Sequence, residues 1–224
     1  MKSIKSYKRF KTSAIYNEKG KNASLAMMEM FNKILPFPFM VDIVQWLAFG
    51  LNIMYVILAS RGNTWCWVWG FFGTIFQFIV CIDADLMSDA TLQIYYSFSA
   101  IYGWFSWHKK EGDNDTIPVT SLPLSNHLKI VLLGVLLAVP LGLYWHKAAF
   151  RYEDATLTAF SILTTFLTAR KILESWFYWI VIDLSYAIIY FERDKYLLVV
   201  LSIIYFIFSI RGYINWRKET LVLS

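Results

Sequence analysis

The stretch IYGWFSWHK, residues 101–109, returns as IRGYINWRK at residues 210–218. The offset is 109 residues, and it holds without a gap far beyond this stretch. Arg61 falls on Arg170, Trp67 on Trp176, Asp85 on Asp194 and Tyr96 on Tyr205. Gly103, Trp107 and Lys109 fall on Gly212, Trp216 and Lys218. Between Ile53 and Lys109, thirteen of 57 pairs are identical. Biased composition alone does not place rare residues so consistently, so the chain reads as two related units.

Composition says what the units are made of. The 224 residues are 58% hydrophobic and 19% aromatic, with a mean hydropathy of +0.47. A soluble domain is usually about 45–50% apolar. A soluble helical protein this apolar would leave several helices nothing polar to face. A bilayer core about 30 Å thick needs roughly 17–25 apolar residues per helix. Seven stretches qualify: Val41–Ser60, Trp65–Ile82, Ala90–Trp107, Leu128–Trp145, Ala155–Ala169, Ile172–Phe191 and Tyr196–Trp216. The fifth is short and rich in threonine. Backbone groups in lipid must be paired within the segment, which makes these helices. Alternation over about ten residues, the mark of a membrane β-strand, is not seen.

Parity then fixes an expected arrangement. Each unit holds three helices, and Leu128–Trp145 lies between the units. Helices one and five therefore cross in the same direction. The expectation is an all-α membrane protein of seven helices, built as two parallel three-helix repeats about an axis along the membrane normal. The fourth helix is a linker that restores orientation. The expected divisions are a basic amphipathic segment (1–40), the first repeat (41–107), a loop and the linker helix (108–147), the second repeat (148–217) and a tail (218–224).

Much of the net charge of +5 comes from Met1–Lys33, which carries eight Lys and Arg. No apolar run with a small-residue cleavage site follows, so it does not read as a signal peptide. NASLAMMEMFNKILPFPF reads as an amphipathic surface helix stopped by Pro36 and Pro38, or as a weak eighth crossing. Nucleic acid is not an expected partner; the lipid bilayer is. Cys66 and Cys81 sit in the second span as small apolar residues. His108, His127 and His146 lie at helix ends, and no metal or cofactor is expected. There is no GxxxxGK[ST] sequence for ATP, and no nucleophile, base or metal cluster at useful spacing for an enzyme. Loops 61–64 and 108–127, with helix ends 170–171 and 217–218, carry seven Lys and Arg against four on the opposite side. That charge bias puts the C-terminus in the cytoplasm, although the basic tail argues the other way. Asp83, Asp85 and Asp89 then form an outer loop, as solvated charges or an attraction for a cation.

Repeats in membrane proteins point to transporters, with the site near the midplane between them. The candidate site centres on ESWFYWIVID, Glu174–Asp183. A charge at the centre of a membrane helix costs about 2.5–3.5 kcal/mol on insertion scales, so Asp183 should face the interior. Trp176, Trp179, Asp183, Tyr186 and Tyr190 form one stripe on a helix. An acid between aromatic faces suits a cation. The competing reading is a structural aspartate that takes a neighbour's hydroxyl or pairs with a lysine. Trp67, Gly70, Thr74 and Gln77 form a stripe on the second span. Gln93, Tyr96, Ala100, Gly103 and Trp107 form one on the third. Asn52 adds an amide from the first span, and its counterpart at the 109-residue offset is Ser161. Buried amides serve as often as glue between helices. Thr158, Ser161, Thr165 and Thr168 read mainly as a close-packing face. The candidate substrate-binding residues are Trp176, Trp179, Asp183, Tyr186, Gln77, Thr74, Asn52, Gln93 and Tyr96.

These motifs, IYGWFSW at 101–107, TARKILESWFYWIVID at 168–183 and RGYINW at 211–216, resemble the PnuC-type vitamin transporters, in the same order over some 180 residues. The resemblance implies a three–one–three helix layout like that of the SWEET sugar transporters. It implies facilitated diffusion of nicotinamide riboside across a bacterial inner membrane, trapping by a cytoplasmic kinase, and a homotrimer. Two places depart from the family pattern. Ser175 and Asp183 stand where amide-bearing residues are usual, and Gly73 stands at the second span's usual Asn. These departures leave thiamine and riboflavin as alternative vitamins. Nicotinamide riboside and thiamine both carry a cationic ring that suits Asp183, and riboflavin does not. A receptor that binds without transporting is the remoter alternative.

Overall fold

The computed structural model describes residues 38–108, 117–144 and 151–223. The chain divides into two units, Met1–Ile43 and Val44–Ser224. Residues 1–37 of the expected amphipathic segment (1–40), residues 109–116 and residues 145–150, with His146, lie outside the described residues.

Seven helices carry the described chain: α1 Pro38–Ser60, α2 Cys66–Asp83, α3 Met87–Trp107, α4 Leu124–Tyr144, α5 Arg151–Ala169, α6 Ser175–Glu192 and α7 Tyr196–Leu223. Each expected span has its helix. Pro38 opens α1, where its missing N–H costs nothing. By length and apolarity α1, α2, α4 and α7 suffice to cross a membrane. The other three carry the polar load that lowers their hydropathy. Much of it is turned inward: Asp89, Ser99 and Ser106 on α3, Thr158, Ser161, Thr164, Thr165 and Thr168 on α5, and Ser175 and Asp183 on α6 are buried.

The third, fourth and fifth helices start three to four residues before the expected spans, and two further boundaries are corrected. The sixth helix begins at Ser175, not Ile172. Ile172 pairs with Thr120 as an isolated parallel bridge, with Thr120 N donating to Lys171 O at 3.0 Å and Leu173 N to Thr120 O at 2.8 Å. The Glu174 carboxylate accepts from Ser121 Oγ and from Leu122 N. Ile172 and Leu173 are buried, so their apolar character imitated a span. The last helix runs past Trp216 to Leu223, through what reads as a tail. Lys171, in the connection between α5 and α6, is buried with its ammonium 5.0 Å from the Trp107 ring. Burial pushes its pKa down, against the pull of Glu219 at 3.8 Å and of Cys66.

The 109-residue offset reappears in local geometry. Moving α2 by 109 gives the bounds of α6, and Met87 and Ser60 move onto Tyr196 and Ala169. The four described residues with positive φ are Gly62 (68°), Asp85 (58°), Lys171 (52°) and Asp194 (57°), which form two pairs at this offset. Each closes a helix in the left-handed conformation. Beyond Asp85 and Asp194, Leu86 N donates to Cys81 O at 2.8 Å and Lys195 N to Tyr190 O at 2.9 Å.

Helix packing follows the same pairs. A Cβ on Gly103 would lie 2.3 Å from the Trp67 ring, and one on Gly212 would lie 2.5 Å from Trp176. Glycine at these positions lets α2 meet α3 and α6 meet α7 around a buried indole. Helix α4 packs on α5, where Gly134 leaves room for Phe160. The other face of α4 is apolar and exposed at Leu128, Leu132, Leu136, Val139 and Leu143.

Candidate substrate site

Four tryptophans form one layer of the core. Trp67 meets Trp107 edge-on at 5.3 Å and 84°, and Trp176 meets Trp216 at 5.2 Å and 84°. Trp107 and Trp216 lie 5.7 Å apart. Two of these indoles bond to helices distant in sequence: Trp107 Nε1 donates to Ala169 O at 3.1 Å, and Trp216 Nε1 to Ala59 O at 3.2 Å. Asn215 adds a bond to Ser60 O at 3.1 Å. The tips of α1 and α5 are thereby tied to the far ends of α7 and α3.

A cavity of about 140 Å³ lies against this layer. At roughly 10–15 Å³ per water-sized position, it has room for an organic ligand and not only an ion. Its walls come from α1, α2, α3, α5, α6 and α7, with no lining residue from α4. Of the 26 lining residues, 24 fall into twelve pairs at the 109-residue offset, among them Thr74 with Asp183, Gln77 with Tyr186, Gln93 with Ser202 and Tyr96 with Tyr205.

All nine residues expected at the site, Trp176, Trp179, Asp183, Tyr186, Gln77, Thr74, Asn52, Gln93 and Tyr96, line this one cavity. Helical periodicity brings them there, since each stripe turns one face inward. Asp183 is 3% exposed and accepts a hydrogen bond from Ser209 Oγ at 2.9 Å. It therefore has the neighbouring hydroxyl that a structural role would supply, and it also faces the cavity. Asn52 Nδ2 donates to Gln77 Oε1 at 3.3 Å. A Cβ on Gly73 would lie 2.9 Å from Asn52 Oδ1, so the missing side chain on α2 makes room for an amide from α1. Thr74 Oγ1 and Ser97 Oγ share a hydrogen bond at 2.8 Å. Trp179 Nε1 donates to Thr168 Oγ1 at 2.9 Å. The indole N–H groups of Trp67 and Trp176 have no partner, nor does the buried Tyr186 hydroxyl. These are donors a ligand can satisfy.

Some expectations change here. Gly103 and Trp107 belong to the tryptophan packing and not to the cavity wall. Ser175 and Gly73 are not among the lining residues, whereas Thr165 and Thr168 are. Asp83 and Asp85 are exposed, but Asp89 is 4% exposed and lines the cavity, so it is not a solvated loop residue. It sits in the first turn of α3, which starts three residues before the expected span. Sequence reasoning also passed over Tyr55, Ser202, Tyr205 and Ser209. For the last three a signal existed, because the repeat projects Gln93, Tyr96 and Ala100 onto them. No Lys or Arg is among the lining residues, so the cavity presents carboxylates, amides, hydroxyls and aromatic faces.

An all-helical protein with apolar outer faces and a central polar and aromatic cavity has the form of a membrane carrier for a small organic molecule. The chain belongs to the nicotinamide mononucleotide transporter family, whose pattern matches residues 42–218. It is 22% identical over 193 residues to the nicotinamide riboside transporter PnuC of Escherichia coli (strain K12), covering 74% of this chain and 81% of that one. The Shigella flexneri protein of the same name matches with the same figures. The chain also resembles the crystal structure of the vitamin B3 transporter PnuC, with a TM-score of 0.72, 18% identity and 90% of each chain covered. At that identity the likeness concerns the fold.

Proposed function

We propose that this protein carries nicotinamide riboside across a bacterial inner membrane by facilitated diffusion, with a cytoplasmic kinase trapping the vitamin afterwards. The observation that carries the proposal is the single cavity that gathers Trp176, Trp179 and Asp183 with the amides of Asn52, Gln77 and Gln93. A pyridinium ring stacks on an indole face with a carboxylate nearby, and a desolvated contact of this kind is worth about 2 kcal/mol or more. The amides and the Tyr96 hydroxyl bond the ribose hydroxyls and the carboxamide. Kinship with two curated nicotinamide riboside transporters supports the choice of vitamin.

All seven helices cross the membrane in this proposal, and α1–α3 and α5–α7 are parallel repeats joined by α4. The twelve pairs of lining residues, the paired helix ends and the absence of α4 from the wall favour this layout. Rocking of one repeat against the other opens the cavity to each side in turn. The tryptophan layer is the natural gate at its end, because its indoles bind the helix tips of the opposite repeat. A homotrimer in the bilayer completes the proposal, and native mass spectrometry tests it.

Thiamine is the second choice, since its thiazolium suits the same carboxylate; riboflavin, which is neutral, comes third. Calorimetry on the purified protein with the three vitamins side by side tests the assignment. Nicotinamide riboside should bind most tightly. Tighter binding of riboflavin would overturn both the vitamin and the role of Asp183.

A further inference from the structure

We infer that Asp89 forms a second cation subsite in the same cavity, at the end away from the tryptophan layer. The inference rests on the reading of the chain as a carrier for a cationic vitamin. Nothing in the sequence pattern of the family motifs requires an acid here, and the counterpart of Asp89 at the 109-residue offset is Leu198.

The geometry gives Asp89 a different standing from Asp183. Asp183 is already bonded to Ser209. Asp89 is equally buried and lines the same cavity, yet its Oδ2 has no hydrogen-bond partner. A buried carboxylate oxygen left unpaired is costly unless something comes to meet it. The charged groups around it are Arg193 and Asp154, and the Arg193 guanidinium holds Asp154 at 2.6 Å. The Tyr190 hydroxyl on α6 approaches the same carboxyl as a hydrogen-bond donor, so Oδ2 alone is the unmet acceptor.

The two acids are separate stations. Asp89 is the third residue of α3, beside the end of α6, while Asp183 lies nine residues before that end. At 1.5 Å per residue the two differ in depth by about 10 Å. One ring cannot touch both. Between them on α6 stand Tyr186 and Tyr190, whose rings stack at 5.4 Å and 15°. A cationic ring that leaves Asp89 therefore meets two aromatic faces before it reaches Asp183 and the tryptophans, and each face attracts it. Asp89 takes the positive ring first on one side of the membrane, and holds it last on the return.

The test compares charged and uncharged forms of one skeleton on the purified full chain. The probes are nicotinamide riboside, its reduced and uncharged dihydro form, and thiamine, bound by calorimetry to the parent, Asp89→Asn and Asp89→Glu. Calorimetry on the parent should resolve two binding events for nicotinamide riboside, and loss of a bond to a charged group predicts that Asp89→Asn weakens the one at this subsite by about tenfold or more while the one at Asp183 keeps its affinity. The uncharged form should bind as it does to the parent, which also reports an intact fold. Asp89→Glu should keep the preference for charge. Equal loss for both forms, no loss for the cation, or loss of the preference in Asp89→Glu would overturn the subsite. So would proton-driven accumulation that Asp89→Asn abolishes without changing affinity, since Asp89 would then carry a proton. If the parent prefers thiamine and Asp89→Asn weakens it alike, the subsite stands and the choice of vitamin falls. A parent that binds neither cation overturns both.

Discussion

Replacing Gly212 by alanine tests whether packing at the helix crossing shapes the cavity. The added Cβ would stand 2.5 Å from Trp176 Cε2 and 2.6 Å from both Cδ2 and Cζ2. Carbon atoms rest about 3.5–4.0 Å apart, so the indole must retreat by about 1 Å. Trp216 blocks one way, with its ring edge-on at 5.2 Å. The cavity is open space beside the ring, because Trp176 is part of its wall. The ring therefore moves into the space meant for the ligand. Overpacking of this kind costs about 1–3 kcal/mol in stability. A displaced stacking face should weaken vitamin binding by roughly tenfold, about 1.4 kcal/mol. Gly103→Ala, which drives Trp67 by the paired contact of 2.3 Å, should cost a similar amount of stability. Gly50→Ala is the control: nothing lies within 4 Å of its Cβ, and alanine favours a helix over glycine by about 1 kcal/mol. The assays are thermal unfolding in detergent and calorimetry with nicotinamide riboside. If Gly212→Ala melts and binds like Gly50→Ala, the indole is not held where its contacts place it, and the packing argument fails.

Other predictions follow from single contacts. Trp176→Phe removes a buried N–H without a partner but also part of an indole packed against Trp216, so thermal unfolding should register a loss of roughly 1–3 kcal/mol from the space left, and binding should weaken through the smaller stacking face. Trp179→Phe breaks a 2.9 Å bond to Thr168, so thermal unfolding should register a loss of about 0.5–1.5 kcal/mol. Asp183→Asn keeps an acceptor for Ser209 and should express well, yet bind a cationic vitamin roughly tenfold less tightly by calorimetry. Lys171 has its folded pKa lowered by burial, so between that value and the unfolded one the unfolded chain binds more protons. Its penalty is present at neutral pH and fades as pH rises toward the unfolded value of about 10.4. The parent should therefore gain stability over Lys171→Met's own trend as pH is raised through that alkaline window, and matching trends would refute this.

The fold was legible because two signals agreed. Apolar runs located all seven described helices, and the 109-residue offset paired their ends. Misplaced boundaries have a common cause: local apolarity does not distinguish a buried connection from a span. Ile172 and Leu173 are buried beside Thr120, and Met87–Asp89 form a first helical turn behind a charge. At the site, periodicity brought the Trp176–Tyr186 stripe into one wall, because a helix must turn its polar face away from lipid. It failed for Asp89, whose neighbours Asp83 and Asp85 are exposed and made the whole segment look like a loop. It also passed over Tyr205 and Ser209 on α7, since a long apolar helix gives little sign of which face is turned inward. The pairing of units carried that information, as both residues stand opposite members of the stripe on α3.

The most direct test of the proposed function is uptake of labelled nicotinamide riboside into liposomes holding the purified protein. Facilitated diffusion predicts entry that saturates, stops at equal concentrations inside and out, and is accelerated by unlabelled vitamin preloaded inside. A proton gradient of either sign should not change the final level. Accumulation above the outside concentration when a gradient is imposed would contradict the proposal, and binding without any entry would leave a receptor in place of a carrier.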